Sequence, residues 1–227
     1  LFFLFSPPWH YRVVSHPKIA NARQAGRRAP VKFMNNLLKQ LGLFILDFLE
    51  TIVLSFAIFV VIYVFVTQPH KVKGDSMLPN FHTDEYLLTD KISYRIRPPA
   101  RGDIIVFRYP LAPQYDYIKR IIGLPNEEIE LKDGHVIIYN QDHKDGLILA
   151  ENYLKTGTLT IGHASIPDGV KTKIPDKHYV VLGDNRQQSS DSREWGTISY
   201  DNIIGRAWLR YWPPQALAFI TDPKYAQ

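Results

Sequence analysis

Apolar residues run almost unbroken through positions 43–66 and then give way to short alternating stretches to the end of the chain. A bilayer core needs about 20 apolar residues at a rise of about 1.5 Å each, so residues 43–67 are predicted to form a single transmembrane anchor. Asp47 and Glu50 stand at i and i+3 on one helical face. At mid-bilayer they would be costly, so they are placed at the cytoplasmic boundary, within reach of water. Residues 32–39 are a candidate amphipathic lead-in, and Pro69 is expected to mark the helix exit. The sequence after the span, Thr67-Gln68-Pro69-His70-Lys71, has no small-x-small cleavage site. A retained anchor therefore fits better than a removed signal peptide.

Beyond residue 74 the period changes from helical to β. Residues 85–88, 103–107, 115–122, 128–132, 135–139, 179–182 and 204–211 are short β-branched and aromatic runs bounded by Pro, Gly and Asp. Asp133-Gly134 between two of them is a two-residue hairpin signal. Residues 140–178 are weakly patterned, with turns near Asp145-Gly146 and Pro167-Asp168-Gly169, and read as a variable insertion. The expected fold is mostly β: one antiparallel β-sheet domain over 68–227, tethered by one N-terminal transmembrane helix.

With 45% hydrophobic and 13% aromatic residues, the chain of 227 has enough apolar material for a core. Cysteine is absent, which excludes disulfides and thiolate metal sites but says nothing about compartment. The net charge of +5 is concentrated at the start. Residues 1–42 carry Arg12, Lys18, Arg23, Arg27, Arg28, Lys32 and Lys39 with no Asp or Glu, while the body after the span is balanced. A basic tail on a neutral body is compatible with nucleic-acid binding. Beside an apolar span it is read instead as an orientation signal, with the N-terminus in the cytoplasm and the β-domain outside. The segment 1–42 is otherwise assigned no fold.

Two residues invite a catalytic reading. Ser76 lies in Gly74-Asp75-Ser76-Met77-Leu78-Pro79, and Lys119 in Tyr117-Ile118-Lys119-Arg120. A serine hydroxyl needs a base, and a neutral lysine is a known alternative to histidine. Lowering a lysine pKa from near 10.4 to about 7 costs about 4–5 kcal/mol, which burial can impose. On a strand Lys119 shares its face with Tyr117 and Ile121, while Arg120 points the other way. Taken singly, a serine in such a turn is usually turn chemistry, a lysine among apolar strand residues usually snorkels, and Met77 reads as core filling. The backbone N–H groups of Gly74 and Ser76 are candidates for an oxyanion hole, with Gly74 allowing close approach. A polar segment, Gly183-Asp184-Asn185-Arg186-Gln187-Gln188-Ser189-Ser190-Asp191-Ser192-Arg193-Glu194-Trp195-Gly196, follows a predicted strand. There Ser189 is expected to hydrogen-bond and orient the Lys119 amine, with Asp191 and Arg193 bracing the loop.

These blocks, together with Asp90-Lys91-Ile92-Ser93-Tyr94-Arg95, Arg101-Gly102-Asp103-Ile104-Ile105-Val106-Phe107 and Ile121-Ile122-Gly123-Leu124-Pro125, give residues 43–214 a close resemblance to bacterial type I signal peptidases. The resemblance implies a serine endopeptidase that removes signal peptides from exported preproteins at the cytoplasmic (inner) membrane, in functional contact with the export translocon and the lipid bilayer. It implies no nucleic-acid partner and no metal or organic cofactor. Ser76 matches the nucleophile, Lys119 the general base and Ser189 the hydroxyl that positions the lysine. Met77 matches the residue packed beside the nucleophile, and Tyr117 a residue lining the cleft. Asp184, Asn185, Asp191 and Arg193 match structural support of the last block. Gly74 stands where some members carry an extra hydroxyl, so the oxyanion hole falls to backbone N–H groups. Gln187, Gln188 and Glu194 depart from the pattern, and residues 1–42 match nothing in it. Three other readings stay open: a self-cleaving repressor of the DNA-damage response, which would need a helix-turn-helix domain and no span; a maturation peptidase with one dedicated substrate; and a non-enzymatic anchored β-domain.

Overall fold

The computed structural model describes residues 29–221 together with Pro223 and Tyr225, so most of the predicted N-terminal segment lies outside the described residues. The chain divides into two units, with the boundary between Phe56 and Ala57. The first is helical. Helix α1 (Ala29–Val61) has 33 residues, about 50 Å at the standard rise. It starts well before residue 43, because the lead-in is made of helix-compatible Leu, Lys, Gln and Asn. Among the described residues it is the one helix long and apolar enough to cross a membrane. Phe44, Leu46 and Phe48 are exposed, with no protein covering them. A helix apolar on all sides suits lipid rather than water. Thr51 Oγ1 donates to the Asp47 carbonyl at 2.8 Å.

The second unit starts with the end of that helix and a π-helical turn, Ile62–Val66. The chain then becomes extended at once. Strand β1 (Thr67–Lys71) pairs antiparallel with β2 (Tyr86–Asp90). Pro69, expected at the helix exit, lies inside β1 instead. β1 is an edge strand, where a missing N–H need not break a ladder. There follow α2 (Ser93–Ile96), β3 (Ile104–Arg108), β4 (Asp116–Gly123), β5 (Glu128–Lys132), β6 (His135–Tyr139), β7 (Leu147–Ile148), β8 (Thr172–Lys173) and β9 (His178–Leu182). The chain ends through α3 (Ser192–Trp195), β10 (Ile198–Ser199), β11 (Ile203–Trp212) and β12 (Ala218–Phe219).

The larger sheet has the order β1-β2-β11-β3-β4-β9-β10, with β12 on β11; the smaller has the order β7-β6-β5-β8. Every paired strand is antiparallel to its neighbour. Asp133 and Gly134 both take positive φ (51° and 79°) and close the β5–β6 hairpin between Lys132 and His135. That is the backbone a two-residue turn of matching twist requires.

Strands β4 and β9 are buried on both faces. Ile122, Val180 and Leu182 pack between the sheets with Ile129, Val136 and Ile138. Ile121, Tyr179 and Val181 pack on the opposite side with Ile105, Phe107 and Ile198. A third cluster gathers Val72, Met77, Phe81, Leu87, Ile104 and Ala207 beneath the turn that carries Ser76. The stretch 140–178 is more than an insertion. Leu149, Ile166 and Ile174 are buried in the first cluster, and β7 and β8 flank the smaller sheet. Its pattern is weak because those strands are two residues long.

Candidate active site

β4 is held between β3 and β9, with Lys119 opposite Ile105. Alternation along the strand turns Lys119 to the side of Ile121, and its side chain ends 4% exposed. Its Nζ donates to Ser76 Oγ at 2.7 Å and to the Ile118 carbonyl at 3.0 Å. The Tyr117 ring lies 5.4 Å from the same nitrogen. Burial lowers the Lys119 pKa from its ordinary 10.5 to about 8, against the opposing pull of Asp191 and Asp184. Desolvation therefore outweighs two nearby carboxylates, and much of the amine is neutral at mildly alkaline pH.

The same burial has a cost for folding. The unfolded lysine keeps its proton up to about 10.5, while the folded one releases it near 8. Between those values the unfolded state binds more protons, so stability rises with pH; below 8 the full penalty opposes folding, roughly 3 kcal/mol. Lys119→Met is expected to raise the melting temperature at pH 7 by several degrees, and by progressively less towards pH 10, in thermal unfolding of the detergent-solubilised chain. An unchanged melting temperature would show that the amine is not desolvated.

Ser76 is presented by a turn that is fixed from several sides. Met77, the next residue, is 1% exposed and anchored in the third core cluster. Thr83 Oγ1 donates to the Gly74 carbonyl at 3.1 Å, and Asn185 Nδ2 donates to the Asp75 carbonyl at 3.0 Å. The Asn185 N–H donates to the Ser76 carbonyl at 2.9 Å. Gly74 has φ +85°, and a Cβ there would meet nothing within 4 Å. Glycine is thus required here for backbone conformation rather than for close approach. Among the described residues, the N–H groups of Gly74 and Ser76 donate to no protein acceptor, leaving both free to bind an oxyanion.

The loop after β9 is held by buried ion pairs. Asp184 accepts from Arg120 Nε and Nη2 at 2.8 and 2.7 Å and from Asn80 Nδ2 at 2.8 Å. Arg120 also donates to the Gly102 carbonyl at 3.1 Å and stacks 3.9 Å from the Tyr153 ring centre. Asp191 takes Arg193 Nε and Nη2, both at 2.8 Å, and the Gly183 N–H at 3.1 Å. Burial pushes the Asp191 carboxyl up, but the Arg193 bonds and charge outweigh it and hold the group below its ordinary value. Arg193 further ties the loop to the Arg186 and Ile161 carbonyls.

Ser189 departs from expectation. Its Oγ is buried with no hydrogen-bond partner, and it makes no bond to Lys119. The hydroxyl is packed over Gly183, where any Cβ would collide with Ser189 Oγ and come within 2.5 Å of the Ser76 carbonyl. That crowding, together with the two acceptors Lys119 already has, leaves the hydroxyl turned away from the amine. Gly183 is therefore the close-approach glycine of the site, a role for which the sequence offered no signal beyond its place in the last block.

A cleft of about 460 Å³ opens over Ser76 and Lys119. A second cavity of about 520 Å³, lined by Phe81, Arg120, Tyr153, Arg210 and Phe219, includes neither of them. Several contributors were not singled out from sequence: Asn80, Thr83, Gly183, Arg120 as the partner of Asp184, and His70 and Asp116 in the cleft wall. Tyr117 is itself braced, stacked on Tyr109 at 4.5 Å, and Tyr109 in turn meets Trp195 edge-on at 5.7 Å. The arrangement is suited to acyl transfer: an alcohol, a largely neutral amine touching it, and free N–H donors beside it.

The sequence model of the family described as "Signal peptidase, peptidase S26" matches residues 45–212. The chain is 37% identical over 188 residues to a signal peptidase I of Leptolyngbya laminosa, covering 79% of this chain and 85% of that one. It is 35% identical over 181 residues to a probable signal peptidase I-2 of a Synechocystis species, covering 76% of each. A crystal structure of a signal peptidase I from Enterococcus faecalis aligns with 28% identity and a TM-score of 0.39, over 48% of this chain and 97% of that one. The match spans all five blocks and the cleft they build, and the chain belongs to the signal peptidase family, peptidase S26, of serine endopeptidases.

Proposed function

We propose that the chain is a membrane-anchored endopeptidase that cleaves N-terminal signal peptides from exported preproteins, with Ser76 as nucleophile and Lys119 as general base. The reading is carried by the 2.7 Å contact between Lys119 Nζ and Ser76 Oγ, made by an amine whose pKa burial has lowered to about 8. Neutral Lys119 takes the hydroxyl proton as Ser76 Oγ attacks the carbonyl carbon of the residue before the cut. The N–H groups of Ser76 and Gly74 bind the oxyanion. The ammonium then gives its proton to the departing amine, leaving an acyl-enzyme. A water deprotonated by the same amine attacks the ester, and Ser76 is regenerated. Ser189 turns about its χ1 angle to donate to Lys119 when the cleft is occupied, which would give its buried hydroxyl a partner.

The substrate segment adds as a strand along β4 and the chain after β1, with shallow pockets for small side chains at the first and third residues before the cut. α1 supplies a single-pass anchor in the cytoplasmic membrane, N-terminus inside, next to the export translocon. Asp47 lies about 30 Å along the helix from Val66, which suits a cytoplasmic boundary. Holding enzyme and substrate at one surface raises their effective concentration.

The test is a pH profile of preprotein processing by the purified chain in detergent. Protonated Lys119 cannot act as a base, so kcat/KM is expected to fall as pH drops through about 8, losing about tenfold per pH unit below it. A flat profile between pH 5 and 9, or no cleavage at any pH, would overturn the reading.

A further inference from the structure

The two faces of β4 divide the cleft. Lys119 and Tyr117 point to one side and Asp116 and Ile118 to the other. The second lobe is walled by Val72, Leu87, Val106 and Ile118, all apolar, with His70 and Asp116 as its polar members. Three strands separate β1 from β4 in the sheet order. Even so, His70 Nε2 of β1 lies only 3.6 Å from Asp116 Oδ2 of β4, so the sheet curls until the two strands face each other across this lobe. The Asp116 side chain is 38% exposed and that of His70 is 14% exposed behind it. His70 Nδ1 lies 2.9 Å from Thr89 Oγ1, whereas Nε2 has no hydrogen-bond partner.

We propose that Asp116, backed by His70, makes this lobe select a substrate side chain bearing a hydroxyl at the third residue before the cut. The assignment rests on the endopeptidase reading above. At 3.6 Å the imidazole and carboxylate are too far apart to bond each other well. They are well placed to share one small group between them. With Thr89 donating to Nδ1, Nε2 carries the ring proton. A hydroxyl about 2.8 Å from each side chain accepts from Nε2–H and donates to Oδ2. A methyl group in the same place satisfies neither. Burial lowers the His70 pKa, against the pull of Asp116 and with the help of Lys91, so the imidazole is neutral at pH 7 and the carboxylate keeps its acceptor capacity. Asp116 lies three residues along β4 from Lys119, about 10 Å. That is within reach of the third side chain of an extended segment.

Threonine and valine have nearly the same shape, so two signal-peptide substrates differing only as Thr or Val at that residue isolate the hydroxyl. For the full chain in detergent, kcat/KM is expected to favour Thr by about tenfold, the scale of a hydrogen bond to a charged group in a partly open site. In Asp116→Leu the ratio should fall to one or below, and in His70→Leu to about two- or threefold. The Val substrate serves as reference for overall activity. A wild-type ratio at or below one, or a ratio unchanged in Asp116→Leu, overturns the assignment while leaving the peptidase reading intact. Failure of the wild type to cleave either substrate overturns the peptidase reading and takes this assignment with it.

Discussion

Alanine in place of Lys119 or Ser76 is expected to reduce preprotein processing by about 10⁴-fold or more, with the melting temperature retained. Nucleophile and base act as one unit, so either loss removes nearly the whole chemical step and leaves what binding and the oxyanion donors supply. Lys119→Ala removes the atom that touches Ser76 Oγ at 2.7 Å. Water cannot easily replace it, because the position is almost fully buried. Ser76→Ala leaves Lys119 with only the Ile118 carbonyl. The double variant should be no slower than either single one, which separates a shared role from two independent ones. Processing of a preprotein by purified variants, followed by gel shift and mass of the released peptide, decides the matter. Activity within tenfold of wild type in either single variant would exclude the pair and favour a non-enzymatic or differently catalysed domain.

The second large effect concerns folding. Asp184→Ala leaves the Arg120 guanidinium, 3% exposed, without its two-bond partner. A buried charge stripped of its counter-ion costs about 3–5 kcal/mol, equivalent to a melting-temperature loss of roughly 10 °C in a domain this size. Asn80 would lose an acceptor as well. Replacing both members, Arg120→Met with Asp184→Leu, should recover much of that loss, since an apolar pair of similar volume avoids the desolvation penalty. The recovered fold is still expected to be impaired in catalysis, because Asp184 begins the segment whose next residue, Asn185, clamps the Ser76 turn. Additive losses in the double variant would show that the pair is not coupled.

Alternation along one strand was enough to read the apolar face of Lys119 and the opposite direction of Arg120. The partner of Arg120 was not readable, because Asp184 is 64 positions away and nothing local marks an acid that will end beneath β4. The Asp133-Gly134 hairpin was legible because both residues tolerate positive φ. β1 was hidden by Pro69, a helix terminator in most contexts, whose role changes once the strand lies at a sheet edge. The orientation of Ser189 was equally out of reach. It depends on the crowding above Gly183, a contact between segments rather than a pattern within one. His70 and Asp116 share a wall only because the sheet curls.

The guanidinium of Arg186, buried in the same loop, binds both carboxylate oxygens of Glu151 and the hydroxyl of Thr160. Ser165 N–H reaches the Arg193 carbonyl at 2.8 Å. The stretch between β6 and β9 therefore acts as a splint for the loop beneath the nucleophile. In evolutionary terms the two segments cannot drift independently. A chimera that imports this stretch from a relative without an acid at the position of Glu151 inherits an orphaned cation, and only compensating exchanges made together would keep the enzyme working.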